Sequence, residues 1–214
     1  MTRNKRNRSG FTLVELSIVL VIIGLIIGGV LTGRQIMENA QITNTVNAIQ
    51  AYQAQFQTYN ENYGAMPGDD SGAAARFPNA NLTNGNGDGT LKGAFDSATA
   101  TDETRLLWAD MRAAGLVKGQ IAGTDATLQP SNTFGGIFGF QHGAFSGAFT
   151  SNVLCFNDIP EDAAQAIDSR LDDGGSNSGA IQAMVSTGTA GEAVGGTVAT
   201  SYGAGQTFTL CMRM

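Results

Sequence analysis

The sequence predicts an α+β protein: one long N-terminal helix packed on a small, mostly antiparallel sheet with glycine-rich loops. Three observations predict it. The 18 residues between Glu15 and Arg34 carry no charge and are mostly Val, Ile, Leu or Gly. From Ile42 to Tyr63, apolar residues recur at steps of three and four, one stripe of a helix. The second half of the chain contains apolar runs of period two separated by glycine-rich connections.

Composition narrows the class. Only 14% of the 214 residues are charged and 29 are Gly, which argues against a coiled-coil rod and against an acidic disordered tail. A chain of this length buries a core without needing a metal. The net charge is −6, yet Arg3, Lys5, Arg6 and Arg8 crowd the first ten residues without an acid among them. Without those ten residues, eight basic residues face 18 acidic ones, a net charge of −10. An acidic chain without a basic stripe predicts no sequence-specific nucleic-acid partner.

The apolar run of residues 11–33 is close to the ~20 residues that cross a bilayer, and the basic residues before it predict a cytoplasmic N-terminus. A secretory signal peptide would have a shorter apolar region ending in a small-residue cleavage site; this run ends in LTGRQ. A plain single-span tether fits the length but gives no role to Glu15, a carboxylate five residues into an apolar segment. Glu15 reads either as a headgroup-level residue or as the partner of a cation on another subunit.

The segment resembles the type IV prepilin family, including the pseudopilins of type II secretion. A short basic leader ends in Gly10, Phe11 follows, and FTLVE places Glu15 fifth after the Gly, directly before the apolar run. The resemblance implies that a membrane prepilin peptidase cuts between Gly10 and Phe11 and methylates the new amine. It implies that Glu15 neutralises the Phe11 amine of a neighbour during assembly. It further implies a homo-oligomeric helical filament, an inner-membrane assembly platform as partner, and lipid contacts before assembly. The precursor would be a single-pass protein of the bacterial inner membrane, and its destination an extracellular pilus or a periplasm-spanning pseudopilus. Many major pilins have Pro where this chain has Thr32. Gly24 and Gly28, like Gly29 and Gly33, have the small-xxx-small spacing that lets helices approach closely.

The expected organisation is a leader at 1–10, a transmembrane and assembly helix at 11–33, an amphipathic helix at 34–63, and a periplasmic or extracellular globular domain at 64–214. The helix would run from about 11 to about 62, roughly 75 Å, ended by Gly64 and Pro67. MPGDDSG and NGNGDGT read as turns. A second helix is capped by Thr101 and stopped by Gly115, with Trp108 in the core. Strands are predicted at 133–140, 147–157, 180–187 and 206–213, and a helix over 160–171 begins at Pro160.

Two acidic segments are candidate cation sites. Asn84, Asn86 and Asp88, followed by Gly89, form the first half of an EF-hand-like loop, but position 12 is Phe95. The loop reads either as a surface turn or as a calcium loop. Asp168 and Asp172 share a helical face if the helix persists that far, and Asp173 adjoins them; a cation would relieve their repulsion, whereas solvated residues at a helix end need none. Calcium is the one ion considered, and no cofactor is required. Cys155 and Cys211 in an exported domain predict a disulfide, an arrangement similar to the C-terminal disulfide-bounded loop of many pilins. Two buried thiols or a metal pair are the alternatives. His142 is the single histidine, with no nucleophile or orienting acid assembled around it, and Asp69 and Asp70 read as solvated turn residues; no enzyme is expected. The function predicted is a structural subunit of a type IV pilus-like filament. The alternatives are a pseudopilin, major or minor, or a tethered binding module that never polymerises.

Overall fold

A computed structural model describes residues 10, 12–203 and 205–214; the leader residues 1–9 and Phe11 lie outside the described residues. The chain divides into two units at Ala40/Gln41, and helix α1, Leu13–Tyr63, contributes to both. In the first unit the large apolar side chains of α1 are exposed, from Leu13 to Met37, and no charge interrupts residues 16–33. Among the described residues it is the one helix long and apolar enough to cross a membrane.

The second unit is built around a four-stranded antiparallel sheet: β1 Phe138–Ala144, β2 Phe149–Pro160, β3 Ile181–Val185 and β4 Thr207–Arg213, in the order β1-β2-β4-β3. The α+β arrangement predicted from the periodicities is the one observed. Both sheet faces are covered. On one face, α1 lays down the predicted stripe: Ile42, Ile49, Phe56 and Tyr59 are buried, with Val46, Tyr52 and Tyr63 half-buried. Tyr52 meets Phe138 at 5.2 Å, and Phe56 stacks on Phe140 at 5.1 Å. Two further helices join this face, α3 Glu103–Ala113 through Trp108 and α4 Glu161–Leu171 through Ala163, Ala164 and Ile167. The short helices α2, Ala73–Arg76, and α5, Glu192–Gly195, lie in the connections. The opposite face holds Phe95, Phe149, Val153 and Met184. Gly139 faces this side, where a Cβ would sit 2.2 Å from the Phe95 carbonyl oxygen, so only glycine lets that loop rest on the strand.

Several boundaries differ from expectation: β1 and β2 end at Ala144 and Pro160, beyond 140 and 157, and β3 is shorter than 180–187. The first strand starts at Phe138, not 133, because Asn132 closes its own turn: its Oδ1 accepts the Phe134 and Gly136 N–H groups at 2.9 and 3.0 Å. The N-cap of α3 is Asp102, one residue beyond Thr101. Pro160 is the N-cap of α4, directly before its first turn.

Cys155 and Cys211 are register partners across β2 and β4 and form the disulfide. The bridge closes a 56-residue separation, for which chain entropy gives about 4 kcal/mol. The Cys155→Ser/Cys211→Ser double variant is therefore expected to lose about 4 kcal/mol in urea unfolding. An unchanged midpoint would show that the strand pairing alone sets the stability.

Candidate functional site

The N-terminal segment is built from a helix start in an apolar setting. Thr12 precedes α1 and Glu15 lies in its first turn. Glu15 Oε2 accepts the Thr12 N–H at 2.8 Å and the Thr12 hydroxyl at 2.9 Å, while Thr12 Oγ1 accepts the Glu15 N–H at 3.2 Å. This is a reciprocal capping box, which satisfies two backbone donors that have no partner within the helix. Threonine and glutamate three positions apart suffice to build it. The carboxylate is thus held on its own chain, at the exposed start of an apolar helix.

The glycines of this segment have no neighbours to fit. A Cβ at Gly24, Gly28, Gly29 or Gly33 would meet nothing within 4 Å. The Thr32 hydroxyl donates to the Gly28 carbonyl at 3.1 Å, and α1 continues unbroken through this point.

Residues 5–31 match the family model described as the prokaryotic N-terminal methylation motif. The chain carries the N-terminal signature of type IV prepilins and pseudopilins. The match spans 27 of the 214 residues and includes Gly10, Phe11 and Glu15. No curated protein and no solved structure matches the chain. The globular unit that follows the prepilin signature is therefore described from its own residues.

Its most unusual chemistry is an acidic core under the first turns. Asp69 and Asp70, read from the sequence as solvated, are both buried, as are Glu103 and Asp110 on α3. The correction has a long-range cause. Gly68, at φ +85°, lies so close to α3 that a Cβ would fall 2.3 Å from the Glu103 carbonyl oxygen. The turn is thus pressed onto a helix more than 30 residues away.

Each buried acid answers donors. Asp69 accepts the N–H groups of Gly87, Asp88 and Gly89 at 2.6, 3.2 and 2.8 Å. Glu103 accepts those of Asn86 and Lys92 at 3.2 and 2.9 Å. Asp70 accepts the Tyr59 hydroxyl at 2.9 Å and pairs with Arg76 at 3.0 Å.

The candidate cation residues take defined places in this scheme. Asn84 Oδ1 accepts the Ala74 N–H at 2.8 Å, and Asn86 Oδ1 accepts the Asp88 N–H at 2.8 Å. Asp88 accepts from Thr90 and pairs with Lys92 at 2.5 Å, which holds its carboxyl well below the usual carboxylate range. The positive charge at Asp88 is thus a lysine of the same loop. Asp88 comes together with Asp69 and Glu103, one carboxylate oxygen from each lying within 4.8 Å of the others. Asp168, Asp172 and Asp173 also converge within 4.8 Å. Asp168 is buried and accepts the Tyr202 hydroxyl at 2.6 Å; burial is the main cause that raises its carboxyl. Asp172 accepts the Ile181 N–H at 2.8 Å, and Asp173 accepts the Gly175 N–H and the Ser178 hydroxyl at 2.8 and 2.7 Å. These acids organise the loop that leads into β3. His142 is exposed, with Nδ1 3.1 Å from Asn152 Oδ1.

Asp110 is the one acid of the first group with an unanswered atom. Its Oδ2 accepts the Gly68 N–H at 2.7 Å, while Oδ1 is buried without a partner. Burial, and behind it the charge of Asp70, push its carboxyl from the ordinary 3.8 up to about 7. A raised folded-state value means that the unfolded chain loses its proton first. The contribution of Asp110 to stability is therefore greatest below about pH 4, falls as pH rises to about 7, and then levels off, by about 4 kcal/mol at most. Asp110→Asn is expected to flatten this slope and to raise the melting temperature at pH 8. An unchanged slope would assign the pH dependence to other groups.

Proposed function

We propose that this chain is a non-enzymatic structural subunit of a type IV pilus-like filament. It is inserted with its leader on the cytoplasmic side, cut after Gly10 by a prepilin peptidase, methylated on Phe11, and polymerised through residues 11–33. One observation carries the reading: the methylation motif is continuous with an exposed apolar helix that holds a carboxylate at its start. The open glycines support it, because small residues that meet nothing within their own chain leave room for a neighbouring helix. Before assembly, lipid covers the apolar half of α1. An inner-membrane platform exchanges that lipid for other subunits. Assembly lets Glu15 leave the capping box and pair with a Phe11 amine of the next copy, which fixes the register of one subunit on another. No cofactor enters this scheme.

A second reading, a periplasmic pseudopilus of type II secretion, draws on Thr32: the helix is unbroken where many major pilins have Pro. Mass spectrometry of the N-terminal peptide separates the readings. A methylated Phe11 peptide abundant in sheared surface filaments is expected for a pilus. The same peptide confined to membranes indicates a pseudopilus or minor subunit. An unprocessed N-terminus, or one beginning after residue 33, overturns both. Gly10→Ala is expected to leave the precursor mass intact.

A further inference from the structure

The globular unit is short of internal ion pairs. Among its described residues only Arg76–Asp70 and Lys92–Asp88 form salt bridges. The acids answer backbone N–H groups and hydroxyls instead. On α3 the converse holds: Arg105 and Arg112 are both more than nine-tenths buried and neither reaches a carboxylate. Arg112 donates to the carbonyl oxygens of Lys118, Ala126 and Leu128 at 3.4, 2.5 and 2.6 Å. Neutral carbonyls satisfy its geometry but leave its charge uncompensated.

That charge lies at one wall of a groove of about 420 Å³ between α1 and the turn after α3. The groove is mostly apolar, with Ala51 and Leu116 among its lining, and its polar groups are Tyr52, Gln55, Arg112 and Lys118. Three features point to an anionic occupant. Lys118 is exposed and lies in no ion pair among the described residues. The charged or ionisable groups acting on Arg112 are Tyr52 and a second cation, Arg105, with no acid among them. The α1 wall of the groove, Ala48, Ala51, Tyr52 and Gln55, brings no carboxylate to it.

The surrounding surface narrows the occupant. From Ala40 to Asn60, α1 has no charged residue, and its exposed positions there, Asn44, Asn47 and Gln50 among them, are uncharged. The charged residues that line the groove are Arg112 and Lys118, both positive. The processed chain itself carries −10 and has few internal cations for its acids. We propose that the Tyr52–Gln55–Arg112–Lys118 groove receives a carboxylate-bearing segment of a second copy of this chain. The apolar lining takes the flanking side chains. Lys118 meets the carboxylate, with Arg112 supplying a fixed field behind it. This rests on the filament reading for the supply of neighbouring copies.

The test couples amines to touching carboxylates with a zero-length carbodiimide, in cells switched from light to heavy isotope medium during assembly. The expected product in sheared filaments is an amide between Lys118 and an Asp or Glu peptide, with mixed-isotope pairs showing that two copies are joined. Lys118→Glu is expected to reduce filament yield about tenfold, with recovery when the coupled acid is changed to lysine. Filaments that form normally with Lys118 uncoupled, or coupled only within one copy, overturn the groove proposal and leave the filament reading standing. Mixed-isotope coupling among membrane-held copies, with no filaments recovered, keeps the groove and overturns the filament. Normal yield from Lys118→Glu counts against the groove whatever the coupling.

Discussion

Replacing Glu15 with alanine is expected to leave cleavage after Gly10 intact while lowering filament yield by about a hundredfold or more. The separation follows from where the carboxylate acts. The proposed peptidase junction is Gly10–Phe11, and Gly10 lies five positions upstream of Glu15. The proposed assembly requires Glu15 itself, because a Phe11 amine drawn into a core of apolar helices would need an opposite charge; an unpaired buried charge costs several kcal/mol. The same substitution also removes the acceptor of the Thr12 N–H and hydroxyl, loosening the first turn of α1. Glu15→Gln separates these effects. The amide keeps an acceptor oxygen for Thr12 but has no charge for the amine. If capping were what mattered, the Glu15→Gln variant would form filaments at near-normal yield; if neutralisation matters, it fails as the alanine variant does. Immunoblots of sheared and cell fractions, read beside the mature mass, check both. A normal filament yield from Glu15→Ala removes the assembly role.

How much of this was legible depended on how local the determining physics is. The α1 stripe could be read because a 3.6-residue period is written by neighbours three and four apart, and each predicted position from Ile42 to Tyr63 is buried or half-buried. Glu15 stood out because an apolar helix tolerates so few charges, whereas Gly10 and Phe11 rest on the resemblance of residues 5–31 to the methylation motif. The capping box is equally local, as Thr12 and Glu15 are three apart, but a carboxylate in an apolar segment points first to a cation on another subunit. The Asn132 turn that delays β1 was a local signal overlooked within an apolar run.

The acidic core was not legible. Nothing within ten residues of Asp69 announces that Gly68 will press against Glu103, or that a loop 18–20 residues on will close over it. Adjacent acids in a Gly-rich turn are usually solvated. Here the deciding contacts are tertiary, and no residue pattern at fixed spacing encodes them. The groove beside Arg112 was hidden for the same reason: an arginine on a helix signals a surface until the 118–128 segment folds its carbonyls onto it.

The second large effect is expected at Asp69. Its carboxylate and that of Glu103 together accept five backbone N–H groups between Asn86 and Lys92, and three of them belong to Asp69. Asp69→Ala leaves the Gly87 and Gly89 donors unanswered, while the Asp88 N–H keeps Asn86 Oδ1, and at about 1–3 kcal/mol for each unsatisfied group the loss is roughly 2–6 kcal/mol. Asp69→Asn recovers little, because its amide oxygen serves only some of the donors and its Nδ2–H groups face the rest. The exposed Lys92–Asp88 pair lies only a few residues away and looks on paper like the stronger link. Lys92→Ala is expected to leave stability almost unchanged, since solvent screens an exposed pair. Chemical denaturation of the three variants ranks the two explanations. A large loss at Lys92 with a small one at Asp69 would mean that the surface ion pair holds the loop. The consequence reaches the sheet. Leu91, buried at the end of this loop, gives its carbonyl to the His142 N–H on β1, which is an edge strand. Once the loop melts, that edge loses its cover, and an uncovered edge strand pairs with other chains. Asp69→Ala should therefore aggregate on warming before its sheet unfolds, with amide exchange rising first at Gly87, Asp88, Gly89 and His142. Exchange rising uniformly across β1, β2 and β4 would show instead that the loop and the sheet unfold as one unit.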